Sequence, residues 1–310
     1  MEKIKVAYFG TPEFSAKILS DLIEYYNIVL VVSQPDKEVG RNHELKASAV
    51  KKVALEHDIP VITPNKIRVE YEEVLSYEPD IIITCAYGQI IPAELLNYPK
   101  YGCINIHASL LPKLRGGAPI HHAIIDGYKE TGITIMYMAE HMDDGDIIYQ
   151  EGFDIEDTDT VGTLHDKLMN LGSKLILKTL PSIIDGTNER IKQDPNEVTF
   201  GYNIKREEEK IDFNKTSRDV FNQIRGLYPF PMSYFVIEAE EIKACASRIN
   251  NIDVNGKIGE ITHVYKDGIG IKTKDSEIVI TRIKPSGKKE MEVSSYLNSH
   301  KDMLGKICNE

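Results

Sequence analysis

Asn105 and His107 are the residues whose types and spacing point most directly to chemistry. They lie two positions apart in the run 103–112, which begins as a β-branched, apolar strand and ends in a proline-closed turn. Side chains at i and i+2 of a strand share a face, so the amide and the imidazole point the same way. Together they can donate hydrogen bonds to an oxygen that gains negative charge during a reaction.

The acidic run 142–146 is the second chemical feature. A calcium loop of the EF-hand type needs regularly alternating ligands and a closing Glu, and neither is present. We expect one of its carboxylates to reach His107 from a neighbouring loop, where it would favour the protonated imidazole and fix its orientation. The sequence combines Asn, His and Asp but has no Ser or Cys at the spacing expected of a nucleophile. This combination indicates direct acyl transfer rather than a covalent acyl-enzyme.

The first half of the chain alternates between strand-like and helix-like segments. Strands are predicted at 4–9, 28–32, 61–62, 80–84, 104–107, 132–138 and 147–153, and helices at 12–25, 46–56, 69–77, 92–96 and 163–186. Such alternation predicts an α/β fold with a Rossmann-like, doubly wound, mostly parallel sheet. Sheets of this class bind ligands at the carboxyl ends of their strands, which is where Asn105 and His107 lie.

The glycine content of the first turn argues against a dinucleotide site. A dinucleotide fingerprint needs three glycines, but the turn after the first strand is Gly10-Thr11-Pro12. Pro12 also removes one N–H that could bind phosphate. We expect a structural turn instead, with Thr11 capping the following helix.

The character of the chain changes after Arg206. A helix at 217–227 precedes five short strands at 234–238, 242–248, 257–264, 268–273 and 277–283, separated by Gly and Asn-Gly turns. This pattern predicts a small OB-like β-barrel. We therefore expect a catalytic domain over 1–188, a linker over 189–206 and a C-terminal barrel over 207–310.

Composition places the chain among ordinary soluble proteins. Of 310 residues, 42% are hydrophobic and 27% charged, and no apolar run approaches the length of a bilayer span. The four cysteines lie far apart without a CxxC pair, so we expect reduced thiols in the cytosol. The net charge is −11, but residues 207–310 carry 16 basic and 17 acidic side chains. Phosphate contacts are therefore compatible with the second domain, where Lys288 and Lys289 form a basic cluster.

Several motifs together resemble the formyltransferase family, and within it the members that formylate methionyl-tRNA. The central signature consists of Asn105-x-His107 with residues 109–112, followed by 115–120, 131–136 and 142–146. The resemblance extends over essentially the whole chain, through residues 9–14, 34–36, 86–92, 224–231 and 285–289. The central pieces specify formyl transfer, and the C-terminal pieces select tRNA over other amine acceptors.

The resemblance implies an activity and a set of site residues. The family transfers a formyl group from 10-formyltetrahydrofolate to the α-amine of methionyl-initiator tRNA, and the chemistry needs no metal. Asn105, His107 and Asp143 become the catalytic set of a cytoplasmic enzyme that we expect to be monomeric and without membrane association. The remaining implied contacts are Ser109, Leu110, Leu111, Pro112, Gln89, Ile90 and Ile91 for folate, and Arg41, Lys288 and Lys289 for tRNA.

The chain departs from the family pattern at two places. In the loop 36–48, Gly40-Arg41-Asn42-His43-Glu44 stands where a glycine and a following pair of lysines are expected, which weakens the basic character around Arg41. Asp144 stands where a small or neutral residue is common, so two adjacent carboxylates compete for His107. The register of the motif favours Asp143.

Three other functions remain open at this level. A formyltransferase acting on an amino-sugar nucleotide would share the Asn-His-Asp core without needing a basic C-terminal domain. A hydrolase that releases formate from the same folate would not need the second domain. A catalytically silent tRNA-binding protein would not need Asn105, His107 and Asp143 together.

Overall fold

The structure is a computed structural model that describes residues 4–39 and 43–309. Its contacts divide the chain into two compact units. The first comprises the chain up to Pro119, Glu130–Phe153 and His165–Tyr202, and the second Ile120–Lys129, Asp154–Leu164 and the chain from Asn203 onward. Residues 189–202, for which the sequence predicts a linker, group with the first unit. No helix in the described ranges is both long and apolar enough to span a bilayer.

The elements up to residue 185 follow the predicted alternation. The strands are β1 (Lys5–Gly10), β2 (Asn27–Val32), β3 (Lys37–Val39), β4 (Glu44–Lys46), β5 (Val61–Ile62), β6 (Ile81–Cys85), β7 (Cys103–His107), β8 (Glu130–Tyr137) and β9 (Ile147–Asp154). The helices are α1 (Glu13–Tyr25), α2 (Ala49–Glu56), α3 (Glu72–Leu75), α4 (Ala93–Asn97), α5 (Pro119–Ile125) and α6 (Val161–Asp185). The sequence did not predict the β3–β4 hairpin or α5.

The first unit contains a seven-stranded sheet in the order β5-β2-β1-β6-β7-β8-β9. Strands β5, β2, β1, β6 and β7 pair in parallel, and β8 runs antiparallel to β7. The chain leaves β1 toward β2 and β5 and then returns to β6 on its other side. The order reverses at β1 and β6, and doubly wound sheets bind ligands at such a switch point. The predicted fold class is confirmed.

Burial on both faces explains the near-continuous apolar runs of the parallel strands. Ile81, Ile82 and Ile83 of β6 are fully buried, as are Val6 to Phe9 of β1. Parallel strands covered by helices on both faces favour β-branched residues at every position rather than alternation. The core of the first unit therefore fixes the strand ends that carry the candidate site.

The second unit contains an antiparallel sheet of six strands in the order β10-β11-β14-β13-β12, with β15 paired to β14. Its elements are α7 (Arg206–Glu209), α8 (Ser217–Leu227), β10 (Ser233–Ile237), β11 (Glu240–Asn250), β12 (Ile261–Val264), β13 (Ile269–Lys272), β14 (Glu277–Pro285), β15 (Met291–Glu292) and α9 (Val293–Leu297). The strand predicted over 257–264 begins only at Ile261, and the sequence did not predict α7, β15 or α9. The OB-like closure stays a prediction.

A buried carboxylate lies inside this second unit. Glu277 is fully buried and accepts hydrogen bonds from Asn250 at 2.8 Å, Tyr265 at 2.7 Å and Thr262 at 2.8 Å, and His263 Nδ1 lies 2.7 Å from it. Burial raises the pKa of this carboxyl, but the four hydrogen bonds outweigh burial and hold its pKa below the ordinary value. The negative charge of Glu277 therefore helps to stabilise the sheet of the second unit.

Candidate active site

The candidate site lies where β1, β6 and β7 end, at the switch point of the first sheet. The Thr11 hydroxyl donates to the carbonyl of Tyr87 at 3.1 Å and so connects the chain after β1 to the chain after β6. The expectation that Thr11 caps α1 is wrong, because Pro12 occupies the N-cap position and no side chain caps the helix. The Thr11 hydroxyl instead donates its hydrogen bond to the Tyr87 carbonyl, on the chain that follows β6.

Asn105 lies in β7 opposite Thr84 of β6. The Thr84 hydroxyl donates to Asn105 Oδ1 at 2.9 Å, so the oxygen of the amide is engaged by the neighbouring strand. Among residues 4–39 and 43–309, no acceptor is described for Asn105 Nδ2. The amide N–H groups are therefore available to a ligand.

His107 is buried, with 6% of its surface exposed. Its Nε2 lies 3.0 Å from the carbonyl oxygen of Leu114, and a carbonyl only accepts, so Nε2 carries a proton. The other ring nitrogen, Nδ1, faces Asp143, whose Oδ2 is 3.8 Å away. The backbone thus sets the orientation of the ring, and Nδ1 is the atom that can gain or lose a proton.

Asp143 lies in the loop between β8 and β9, in the left-handed backbone region at φ 51°. Its Oδ2 accepts the backbone N–H of Gly116 at 2.8 Å. Gly116 has φ +118°, and a Cβ there would lie 2.9 Å from the carbonyl oxygen of Gly201. A glycine is therefore needed for this amide to reach the carboxylate.

The three carboxylates of the loop 142–146 have different partners. Asp143 faces His107, whereas Asp144 pairs with Arg115 at 2.7 Å and Asp146 with Arg190 at 3.0 Å. The competition between Asp143 and Asp144 is thereby decided by geometry. Within the described ranges, no group of three or more His, Cys, Asp or Glu side chains is placed to hold a metal ion.

The turn after β7 is held by two side chains that sequence reasoning missed. The Thr134 hydroxyl donates to the carbonyl of Ser109 at 2.6 Å and accepts from the N–H of Leu111 at 3.1 Å. The amide of Gln150 donates to Thr134 Oγ1 at 2.7 Å and to the carbonyl of Leu111 at 2.8 Å. Ser109 Oγ donates to the carbonyl of Lys113 at 2.6 Å. The turn is therefore fixed by its own backbone and by β8 and β9.

The remaining predicted turn residues differ in exposure. Leu111 is buried in a small cluster with Met136 and Ile147. Leu110 and Pro112 are half-buried. Leu110 and Pro112 offer apolar surface beside the turn, whereas the side chain of Leu111 packs in the interior.

The three residues predicted for the pterin have unequal access. Ile90 is 62% exposed, whereas Ile91 is buried in the main core of the unit. The Gln89 amide donates to the carbonyl of Pro64 at 3.1 Å and accepts the N–H of Ile67 at 2.9 Å. Ile90 alone of the three combines an apolar side chain with high exposure, and Gln89 holds the neighbouring loop.

The lysines predicted to bind tRNA belong to the second unit. Lys288 and Lys289 are exposed on the turn between β14 and β15 of the second unit. Arg41 lies outside the described residues. The structure therefore brings together Asn105, His107 and Asp143, with the turn and Ile90 at the same sheet edge.

The thiol of Cys85, near the site, is unreactive. Cys85 ends β6 and is buried, and burial raises its pKa to about 12. A thiol with such a pKa is neutral at physiological pH and is a poor nucleophile. This agrees with acyl transfer without a cysteine intermediate.

Comparison with known proteins assigns the family. The formyl transferase model matches residues 2–180, and the model of the formyl transferase C-terminal domain matches residues 203–301. Proteins named methionyl-tRNA formyltransferase from Bacillus thuringiensis subsp. konkukian (strain 97-27) and Bacillus cereus (strain B4264) are 49% and 50% identical to this chain over 311 residues, which covers 99% of each partner.

Solved structures share the fold. An N-formyltransferase from Helicobacter canadensis, in complex with folinic acid and dTDP-3-aminofucose, has a TM-score of 0.70 and 23% identity over 91% of this chain and 100% of its own. HypX from Aquifex aeolicus, in complex with tetrahydrofolic acid, has a TM-score of 0.64 and 17% identity over 97% of this chain and 48% of its own. With both domain models matched and half of all residues shared with full-length relatives, the chain belongs to the formyl transferase family, beside members named methionyl-tRNA formyltransferase.

Proposed function

We propose that this chain transfers the formyl group of 10-formyltetrahydrofolate to the α-amine of methionine esterified to initiator tRNA. The observation that carries the proposal is the identity of about half of all residues over the full length of relatives with that name. The convergence of an amide, an imidazole and a carboxylate at one sheet edge supports it. We expect a monomeric, cytoplasmic enzyme whose catalytic domain spans 1–188 and whose tRNA-binding domain spans 207–310.

Asn105 and His107 are proposed to stabilise the oxyanion. When the neutral amine adds to the formyl carbon, the formyl oxygen becomes negative. Asn105 Nδ2 and the Nδ1–H of protonated His107 are the donors left open by their other contacts. Loss of one such donor typically raises the barrier by about 2.7–4 kcal/mol, or roughly 100- to 1,000-fold in rate.

Asp143 is proposed to supply charge rather than orientation. The carbonyl of Leu114 already orients the ring, and the 3.8 Å separation between Asp143 Oδ2 and His107 Nδ1 is too long for a hydrogen bond. The carboxylate favours the imidazolium while leaving its Nδ1–H free for the substrate oxygen. As the new C–N bond forms and the bond from carbon to the folate N10 breaks, one proton moves from the amine to N10, and Asp143 and His107 are the groups placed to relay it.

The folate contacts are proposed from the turn and from Ile90. A pterin is a flat heterocycle with donors and acceptors on its edge, and such rings are bound by apolar faces and backbone groups. Ile90 offers the apolar face, and the chain around Ser109 offers a rigid backbone. Gln89, Ile91 and Leu111 contribute by holding these segments, since their own side chains are engaged elsewhere.

The first test is an activity comparison. Purified protein is assayed with 10-formyltetrahydrofolate and methionine-charged initiator tRNA, methionine-charged elongator tRNA or an amino-sugar nucleotide. We expect formylation of the initiator tRNA. Activity on the amino-sugar nucleotide alone would refute the assignment, and release of formate without an acceptor would indicate a hydrolase.

Two alanine variants test the mechanism. Asn105→Ala and His107→Ala should each lower kcat by about 100-fold or more while tRNA affinity stays nearly unchanged. Asn97→Ala is the matched control, because Asn97 is exposed and its amide donates to Ala93 of its own helix. Rates near those of the wild type in the Asn105 and His107 variants would refute the mechanism.

Lys288, Lys289 and Arg41 are proposed to contact tRNA. Phosphate contacts make affinity fall steeply with salt, because bound counterions are released. Replacing Lys288 and Lys289 together with alanine should reduce the slope of log Kd against log salt by about one to two. Lys274→Ala, an exposed lysine elsewhere in the same unit, is the control. An unchanged slope in the double variant would exclude these contacts.

A further inference from the structure

The side chain of Gln193 connects the two loops on which Asp143 and its partner Gly116 lie. We propose that Gln193 is a positioning residue that sets the distance between Asp143 and His107. The inference rests on the proposed role of Asp143 in formyl transfer. Gln193 lies in residues 189–202, which belong to the first unit although the sequence predicts a linker there.

Every hydrogen-bonding end of the Gln193 amide is used at this junction. Its Nε2 donates to the carbonyl oxygens of Asp143 at 2.8 Å and Gly145 at 2.9 Å. Its Oε1 accepts from Arg115 Nε at 3.1 Å and Nη2 at 2.8 Å. One amide thus joins the backbone of the 142–146 loop to the guanidinium of the 115–118 loop. Only a group that is donor at one end and acceptor at the other can do this.

The backbone around Gln193 holds the same two loops. Ile191 exchanges two hydrogen bonds with Ile147, each 2.8 Å long. Farther along, Arg115 N–H donates to Thr199 at 2.9 Å, and Ala118 N–H donates to Gly201 at 2.9 Å. Residues 191–201 therefore run from the end of the Asp143 loop to the loop that carries Gly116.

The position of Asp143 depends on this junction because its own restraints are few. Its carboxylate is fixed by one backbone N–H, that of Gly116 at 2.8 Å, and does not hydrogen-bond His107. Its backbone has φ 51°, a conformation that non-glycine residues adopt rarely and that needs support from surrounding contacts. The bond from Gln193 to the Asp143 carbonyl is such a contact.

The charges near the imidazole make the consequence measurable. Asp143 presents the carboxylate that faces His107, while Arg115 and Asp144 pair with each other. If the loop shifts, the carboxylate moves away from the imidazole, and its charge no longer supports the step that follows substrate binding. The rate would then fall through kcat, with little change in KM.

Gln193→Glu is the informative variant. A carboxylate keeps the acceptor for Arg115 but meets the carbonyl oxygens of Asp143 and Gly145 without a proton to donate, so it repels the loop. Gln193→Met, of similar length and without hydrogen bonds, is the second variant in case the first folds poorly. The kcat of formylation is measured, together with KM for both substrates and thermal unfolding of each protein.

Gln223→Glu is the matched control. Gln223 also donates through Nε2 to two backbone carbonyls, those of Glu208 at 2.8 Å and Lys210 at 3.1 Å, but it lies in the second unit. This control therefore creates the same carboxylate–carbonyl repulsion away from Asp143. It reports what the loss of such a junction does to stability alone.

The expected result is a fall in kcat of about 10- to 100-fold for both Gln193 variants, with KM changed less than about threefold. The Gln223 variant should lower the unfolding temperature and leave kcat near that of the wild type. An unchanged kcat for both Gln193 variants, or a loss confined to KM, would overturn the inference. Failure of His107→Ala to lower the rate would instead overturn the proposed function.

Discussion

Asp143→Asn tests whether the carboxylate acts through its charge. The substitution keeps the size of the side chain, and its amide oxygen can still accept the N–H of Gly116, so the loop keeps its geometry. What is lost is one negative charge 3.8 Å from His107 Nδ1. Any change in rate is then an electrostatic effect on the imidazole or on the proton relay.

The magnitude follows from the distance and the exposure. Two unit charges 3.8 Å apart attract by about 4 kcal/mol at an effective dielectric constant of about 20. The Asp143 side chain is 16% exposed, so solvent screens part of this attraction. We therefore expect about 1–2 kcal/mol of this attraction to act in the reaction, which corresponds to a fall in rate of about 5- to 30-fold.

The assay is single-turnover formylation of methionyl-initiator tRNA at saturating formyl donor, from pH 6 to pH 9. The ratio of wild-type to variant rates is the informative quantity, because titration of the substrate amine affects both proteins equally and cancels. This ratio should be about 5 to 30. A ratio near one at every pH would refute the electrostatic role.

Asp144→Asn is the control for this experiment. Asp144 is the adjacent carboxylate, but it pairs with Arg115 and does not face His107. Removing its charge should leave the rate close to that of the wild type. A fall in rate as large as that of the Asp143 variant would mean that the general charge of the loop, rather than one placed carboxylate, controls the reaction.

Three further substitutions test the surroundings of the site and the second unit. Thr84→Val keeps the side-chain shape but removes the donor to Asn105 Oδ1, so kcat should fall about tenfold while chemical denaturation shows a loss of only about 1 kcal/mol. Gly145→Ala places a Cβ 1.8 Å from the carbonyl oxygen of Tyr137. The loop must move, which should abolish most activity and lower the unfolding free energy by about 1–3 kcal/mol in the same assay. Because the folded state lowers the pKa of Glu277, its charge stabilises the protein above the ordinary value of 4.5, and this stabilisation is lost as pH falls. Glu277→Gln should lower the urea midpoint at pH 7 and flatten its decline between about pH 5 and pH 3.

The sequence predicted many elements of both units well because their signals are local. The strand over Val61–Ile62 and the helix over Ser217–Leu227 have the predicted bounds, and most other elements agree within a few residues. Apolar runs and helical periodicity decide these elements without long-range information. The helix predicted over 69–77 shrinks to Glu72–Leu75, since periodicity does not show where capping and tertiary contacts end a helix.

The contacts that orient the site were less predictable than the site itself. Asn105 and His107 share a strand, so their alignment follows from the period of two. The approach of Asp143 and the role of Gln193 depend on loops separated by many residues, which no local pattern encodes. The sequence indicated the partner of Asn105 only weakly. Thr84 also ends a predicted strand, but the register of β6 against β7 was needed to place it opposite the amide.

Two of the three candidate catalytic side chains are held through an atom that the proposed reaction does not need, whereas Asp143 is held through Oδ2, the oxygen that faces His107. Thr84 binds the oxygen of the Asn105 amide, the Leu114 carbonyl binds Nε2 of His107, and the Gly116 N–H binds Asp143. The amide N–H groups and Nδ1 remain free to point at the substrate. Donors fixed in this way before the substrate arrives need little reorganisation when charge develops, which is the main source of electrostatic catalysis. Two of these three supports are backbone groups, so the residue type at position 114 does not by itself reveal its support, whereas position 116 needs a glycine. The 3.8 Å gap between Asp143 and His107 fits the proposed mechanism, because a direct hydrogen bond would occupy the N–H that we propose for the oxyanion.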